Sequence, residues 1–351
     1  MRLRTFVELA GLLVLYATST VSLAESFVLP PEDVSLIGGF QYTTAKEEDT
    51  LLDIARRHDV GQREIVVANP GVDRWLPRQG TRVFLPKRYI LPDAPRNGLV
   101  LNIAEMRLYY YPPGQEWGAR KVVTYPISIG RMDWTTPLGA TRIVKKVKNP
   151  AWRPPVSIKK EHAAAGDPLP DVIPAGPDNP LGDYAMRLGI PGYLIHGTNK
   201  PLGVGMQVSH GCVRMLPEDI EQLFPEVGVG TAVHIVNQPI KAGWAVDTLY
   251  LEVEPPLDGE NHSFQGTLVS AMDLIAKSEP LEALDIDRDA LIEAVRERRG
   301  IPVAIAAKRS FMDGASYVAQ EESLGNRFED GEESYRSEED YNYVSGKGND
   351  L

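Results

Sequence analysis

Cysteine is almost absent from this 351-residue sequence, with Cys212 standing alone. A single thiol excludes an intrachain disulfide framework and any zinc cage built from two or more thiolates. Basic residues are also in short supply, 37 Lys and Arg against 48 Asp and Glu for a formal charge of −11. That balance argues against nucleic acid or anionic lipid as the partner. Long apolar runs are missing too. The stretch Leu9–Ala17 falls short of the roughly 20 residues that a bilayer-spanning helix needs, and no later segment is longer or more apolar. No repeat of solenoid length is present. What the chain does have is size, because 351 residues with 43% hydrophobic side chains can fill two or three domains with sizeable cores.

Arg2 and Arg4 precede the apolar stretch, and Ser22 and Ala24 take the third and first positions before a cut after Ala24. This is the layout of a cleaved secretory signal over residues 1–24. The expected location is therefore outside the cytoplasm. A lone thiol in an oxidising space risks oxidation and mispairing unless it is buried or used.

Residues 25–39 read as irregular. A compact pattern then runs over 40–86 and closes in the Pro-containing linker Leu91-Pro92-Asp93-Ala94-Pro95. Asp49 or Thr50 can cap a helix with Leu51, Ile54, Ala55 and His58 on one face, and a second helix around Ile65–Ala68 stops at Asn69-Pro70-Gly71. Short strands at Gln41–Thr43 and Arg82–Leu85 would flank the two helices in a βααβ unit. From residue 97 to 237 the texture turns to short β-branched and aromatic strands: Leu99–Ile103, Arg107–Tyr111, Val122–Ser128, Thr141–Val147, Met186–Leu188, Tyr193–His196 and Thr231–Val236. One helix interrupts them, opening at Pro217 with Glu218 and Asp219 in its first turn. The spacing thus predicts a mainly β domain, a sandwich or barrel. The Pro-rich loop from Pro150 to Leu181 is long enough to be a lid. Residues 238–320 read as an α+β appendage with a strand in 242–257 and helices over Gly266–Lys277 and Asp287–Arg299. Residues 321–351 carry ten acidic and three basic side chains and should be disordered.

The chemistry-bearing types gather in Tyr193–Met215, which holds His196, His210, Cys212 and Arg214. A cysteine attacks a carbonyl carbon as thiolate, and an imidazole within hydrogen-bond reach can take its proton, leaving a thiolate–imidazolium pair. His196 ends an apolar strand that can hold it rigidly, sixteen positions before Cys212. His210 and Arg214 lie two residues either side of the thiol and point the same way on extended backbone. Gly211 permits a sharp turn whose N–H groups could meet a developing oxyanion, and the planar fork of Arg214 suits a substrate carboxylate. A third group orienting His196 could be a backbone carbonyl or a distant acid such as Asp183. Zinc held by His196, His210, Cys212 and His162 has acceptable ligand types but no recognisable spacing, so no metal is expected. Taken alone, Cys212 could also be a buried inert thiol, and His210 a turn stabiliser. His58, His234 and His262 read as structural, and the five tryptophans, Trp117 included, as packing.

Two resemblances sharpen this reading. The runs DTLLDIARRHDV and VVANPGVDRWLPRQGTRVFLP resemble a LysM module over 40–86, which implies binding to N-acetylglucosamine-containing glycan such as peptidoglycan. IHGT followed at sixteen-residue spacing by SHGCVRM resembles the signature of the L,D-transpeptidase catalytic domain over 97–237, and Thr136-Pro137-Leu138-Gly139 and PAGPDNPLG at 174–182 fit it too. The resemblance implies Cys212 as nucleophile and His196 as general base and acid, oriented by the Gly197 carbonyl. Ser209, His210, Gly211 and Arg214 would then shape the oxyanion and substrate side. It implies a periplasmic enzyme that needs no cofactor, cuts a peptidoglycan tetrapeptide stem before D-alanine and holds the rest as a thioester for an amine. The domain combination is similar to the subgroup that links lipoprotein to the wall. A 3–3 crosslinking enzyme, an L,D-carboxypeptidase and a non-catalytic peptidoglycan-binding scaffold are the alternatives.

Overall fold

The computed structural model describes residues 24–114, 120–131 and 134–309. Nearly all of the expected signal over 1–24, the acidic tail over 321–351 and Trp117 lie outside the described residues. The chain divides into two units, Met1–Ala307 and Lys308–Leu351, and the architecture below is that of the first.

Strands dominate, and their pairing closes a ring. Gly98–Asn102 pairs with Arg107–Tyr111, which pairs with Lys121–Gly130, and the ring runs on through Val213–Met215, Leu194–His196, Tyr184–Leu188, Gly139–Lys148 and Ala232–Val236 back to Gly98–Asn102. Most neighbours are antiparallel. Leu194–His196 runs parallel to Val213–Met215, and Ala232–Val236 parallel to Gly98–Asn102. Alternation explains the filling. Leu99, Leu101, Leu108, Tyr110, Ile127, Ile129, Ile195, Val213, Met215, Val233 and Ile235 turn inward to one core, joined by Ile220 and Leu223 of the helix Pro217–Glu226. Val100, Tyr109, Tyr111 and Val122 face outward into a second layer with Ile37, Tyr89 and Leu91.

That second layer corrects the expectation for residues 25–39. Glu25–Val28 adds to the edge of Lys121–Gly130, and Leu36–Gly38 pairs with Arg88–Ile90. Three- and four-residue strands carry too little periodicity to be recognised alone; the long strand beside them supplies the hydrogen-bond template.

The βααβ elements of the small N-terminal region are present. Gln41–Thr44 pairs with Arg82–Leu85, and the helices Leu51–Arg57 and Gln62–Ala68 pack over Val83 and Leu85. Thr50 and Asp53 form a capping box at the first helix. Asn69 explains the Asn-Pro stop, because its amide donates to the Ile65 and Phe84 carbonyls and accepts from Phe84 N–H. This region is joined tightly to the barrel. Gln62 and Arg63 at the start of the second helix donate their backbone N–H groups to the Val204 and Gly205 carbonyls, and fully buried Arg107 holds Glu64 at 2.6 Å.

Toward the C-terminus, Ile240–Ala245 and Thr248–Val253 form a hairpin where one strand was expected. With Val303–Lys308 and Leu284–Ile286 they build a four-stranded sheet. The helices Phe264–Ser278 and Arg288–Glu297 cover it, within two residues of the expected bounds. The structural calls on residues 310–320 lie outside the described residues.

Candidate active site

Parallel pairing puts His196 in register with Arg214. Cys212, two residues before Arg214, therefore emerges on the same side of the sheet as the imidazole. His196 is buried, and its Nδ1 meets the Gly197 carbonyl at 2.6 Å. The Leu181 carbonyl also lies near enough to favour the protonated ring. Backbone carbonyls, with no carboxylate, surround the imidazole. Asp183 lines a cavity of about 230 Å³ with Tyr184, Thr198, Glu218 and Glu221 instead.

Delivery of the Leu181 carbonyl traces to Asn179, which is fully buried. Its amide donates to the Pro150 and Pro174 carbonyls at 2.7 and 3.0 Å, and its oxygen accepts from Leu181 N–H at 2.9 Å. The run 174–182 folds around this one side chain. Gly182 follows in a left-handed conformation where a Cβ would sit 2.8 Å from Thr198 N, so the loop lies directly on the backbone after His196.

The thiol sits on a turn pinned by hydroxyls. Thr136 Oγ1 donates to the Gly211 carbonyl at 3.0 Å and accepts from Gly130 N–H at 3.1 Å, while Ser209 Oγ donates to the Cys212 carbonyl at 2.5 Å. With the Gly211 carbonyl tied to Thr136, the trans peptide aims the Cys212 N–H the opposite way. Gly211 has φ +92, and a Cβ there would sit 2.9 Å from the Tyr193 ring. Cys212 is half-buried; its Sγ–H donates to the Gly192 carbonyl at 3.7 Å and Leu194 N–H faces the sulfur.

Electrostatics leave both reacting groups neutral at rest. Burial, followed by the Arg214 charge, lowers the His196 imidazole to about 4. Burial pushes the Cys212 thiol up, only partly offset by Leu194 N–H and Arg214. An unprotonated imidazole beside a protonated thiol has a ring nitrogen free to accept that proton as attack proceeds. The thiolate–imidazolium pair is thus not the resting state of this site.

Arg214 lies on the same face with its Nε buried and, among the described residues, without a hydrogen-bond partner. His210, two residues before the thiol, has its Nε2 3.2 Å from Glu161 Oε2 and its ring edge-on to Trp134. The expected lid is a helix-bearing segment, Val156–Ala164, closed at its base by a bridge between Trp152 and Ile173. Glu161 comes from that helix and also accepts from Arg131. His162 pairs with Asp167 at 3.3 Å, and among the described residues no histidine or cysteine joins a group able to hold a metal. Sequence reasoning brought Cys212, His196, Gly197, Ser209, His210, Gly211 and Arg214 to one place. It missed Arg131 and Glu161, and saw Thr136, Asn179 and Leu181 only as parts of motifs.

Comparison with known proteins gives this arrangement a family. The L,D-transpeptidase catalytic domain model matches residues 96–235. Over 310 residues the chain is 40% identical to a protein of Escherichia coli K12 described as "Probable L,D-transpeptidase YbiS", covering 87% of this chain and 99% of that one. It is 38% identical over 296 residues to "Probable L,D-transpeptidase ErfK/SrfK" of Salmonella typhimurium, covering 83% and 94%. The chain therefore belongs to the L,D-transpeptidase family. Among solved structures, the catalytic domain of Enterococcus faecium L,D-transpeptidase aligns at 18% identity with a TM-score of 0.30, over 41% of this chain and 99% of that one.

Proposed function

We propose that this protein is an exported cysteine transpeptidase of peptidoglycan. Cys212 Sγ attacks the carbonyl that precedes D-alanine in a tetrapeptide stem while His196 takes the thiol proton. The Cys212 N–H, freed from the tied-back turn, donates to the oxyanion, and Arg214 seats a stem carboxylate. His196 then returns its proton to the departing D-alanine amine, leaving a thioester on Cys212. An acceptor amine loses a proton to His196 as it attacks the thioester. An amide forms, the C–S bond breaks and the sulfur regains its proton. Because the thioester keeps the energy of the broken amide, no nucleotide is needed.

The observation that carries this reading is the parallel register of His196 with Arg214, which sets the sole cysteine and a neutral buried imidazole on one face. The βααβ region at 40–86 serves as a LysM-like hold on glycan, and the signal over 1–24 directs the chain to the periplasm. The acceptor we assign is a lysine amine at the C-terminus of a lipoprotein, giving protein attached to the wall. Incubating the purified protein with a tetrapeptide muropeptide and a lysine-ended lipoprotein peptide should yield a conjugate lacking D-alanine, and Cys212→Ala should yield none. A 3–3 dimer or a plain tripeptide formed in preference to the conjugate would overturn the acceptor. Equal product from Cys212→Ala would overturn the mechanism.

A further inference from the structure

Glu161 projects from the lid helix Val156–Ala164 onto a guanidinium and an imidazole. Its Oε1 accepts from Arg131 at 2.5 Å, and its Oε2 meets His210 Nε2 at 3.2 Å. Both partners are built into the thiol turn. Arg131 donates its backbone N–H to the Ser209 carbonyl at 2.9 Å, and His210 stands two residues from Cys212 with its ring braced by Trp134 at 5.4 Å between centres. Glu161 does not use up what this wall offers. Among the described residues Arg131 Nε is buried with no hydrogen-bond partner, and Arg214 Nε on the other side of Cys212 is in the same condition.

The occupant and its holders differ in how firmly they are placed. The Arg131 and Glu161 side chains are equally open, 37% and 38% exposed, but Arg131 is rooted by its backbone bond to Ser209 and His210 by the turn, whereas Glu161 rides on a helix whose only buried residue is Ile158. Ion pairs as exposed as this one are weakly held. Exchanging Glu161 for another carboxylate therefore costs little, and a second carboxylate can take the same two points, one oxygen on the Arg131 guanidinium and one on His210 Nε2.

We propose that Arg131 and His210 form a carboxylate subsite beside Cys212, filled at rest by Glu161 of the lid and taken over by a stem-peptide carboxylate when the donor enters. The naming of the stem peptide rests on the transpeptidase reading, whereas the subsite itself rests on the geometry. Entry of substrate and release of the lid then become one event, because the incoming carboxylate removes the contact that holds the helix to the turn.

The sole cysteine makes a direct probe available. Rates of alkylation by iodoacetate and by iodoacetamide are compared on the full chain, since the two reagents differ in a carboxylate against a carboxamide. Glu161→Gln is expected to raise the iodoacetate-to-iodoacetamide rate ratio about three- to tenfold at low salt, with most of the gain lost in about 0.5 M salt. Adding Arg131→Gln should return the ratio to within about twofold of the wild-type value. The tetrapeptide KM should fall in Glu161→Gln and rise in Arg131→Gln. A ratio unmoved by Glu161→Gln would overturn the subsite. So would a parallel rise in both rates, which is the mark of a mere cover, or a gain that survives the loss of Arg131. If the ratios behave as expected while the tetrapeptide proves inert, the subsite stands and the transpeptidase reading falls.

Discussion

His196 and Cys212 are held in protonation states that suit attack but not idle reactivity. Burial lowers the imidazole to about 4 and raises the thiol, so at neutral pH the proton sits on sulfur. A raised thiol means a smaller thiolate fraction at pH 7 than free cysteine has. Alkylation of Cys212 by iodoacetamide should accordingly keep climbing through pH 8 and reach its midpoint above that of a free thiol. A plateau reached below pH 7 would show a preformed ion pair instead. At this scale much was legible: a lone cysteine between glycine and Val-Arg, with a histidine sixteen positions upstream, marked the candidate nucleophile and base, and family resemblance pointed to the Gly197 carbonyl that meets His196 Nδ1. The Leu181 carbonyl was not legible, because a backbone acceptor leaves no side-chain signal. Glu161 was hidden for another reason. It lies 49 positions from His210 in a segment without a clear periodicity.

Elements carry the site through a few buried polar bolts, and Asn179 is the clearest. Replacing it with alanine leaves the Pro150 and Pro174 carbonyls and Leu181 N–H without their partner, which costs about 1–3 kcal/mol. It also releases the Leu181 carbonyl from His196. Asn179→Ala should therefore lower the melting temperature and reduce kcat by about 10- to 100-fold, measured by calorimetry and tetrapeptide turnover. An unchanged kcat with a lowered melting temperature would leave Asn179 a purely structural role. Strand legibility followed local pattern. Arg107–Tyr111 and the closing strand of the small region, Arg82–Leu85, were read with their bounds, while Glu25–Val28 and Leu36–Gly38 were read as irregular. Their existence depends on partners far along the chain. The lid helix was missed because it has no apolar stripe to announce it.

Across the whole molecule, the small βααβ region is fastened to the catalytic barrel by polar groups rather than tethered by its linker. Arg56 meets Glu218 at 2.8 Å, Arg107 meets Glu64, and the carboxyl groups of Asp59 and Asp219 are buried in contact with each other near Arg107 and Lys87. None of these pairings has a sequence signature, since each joins residues 43 or more positions apart. Burial raises Asp59 to about 7, and burial together with the Asp59 charge raises Asp219 well above the usual range. Folded pKa values above the unfolded ones mean that the contribution of the Asp59–Asp219 pair is at full strength below about pH 4 and is lost as pH rises through about 7. Asp219→Asn should remove part of that loss, so that its melting temperature falls less than wild type between pH 5.5 and 8. A wild-type-sized fall in the variant would contradict the assignment. The account as a whole rests on sulfur carrying the acyl group, and intact-mass spectrometry after mixing with a tetrapeptide muropeptide tests that most directly. The expected result is a gain equal to the muropeptide minus D-alanine, mapped to Cys212. Turnover with full product and no covalent species, undiminished in Cys212→Ala, would contradict it.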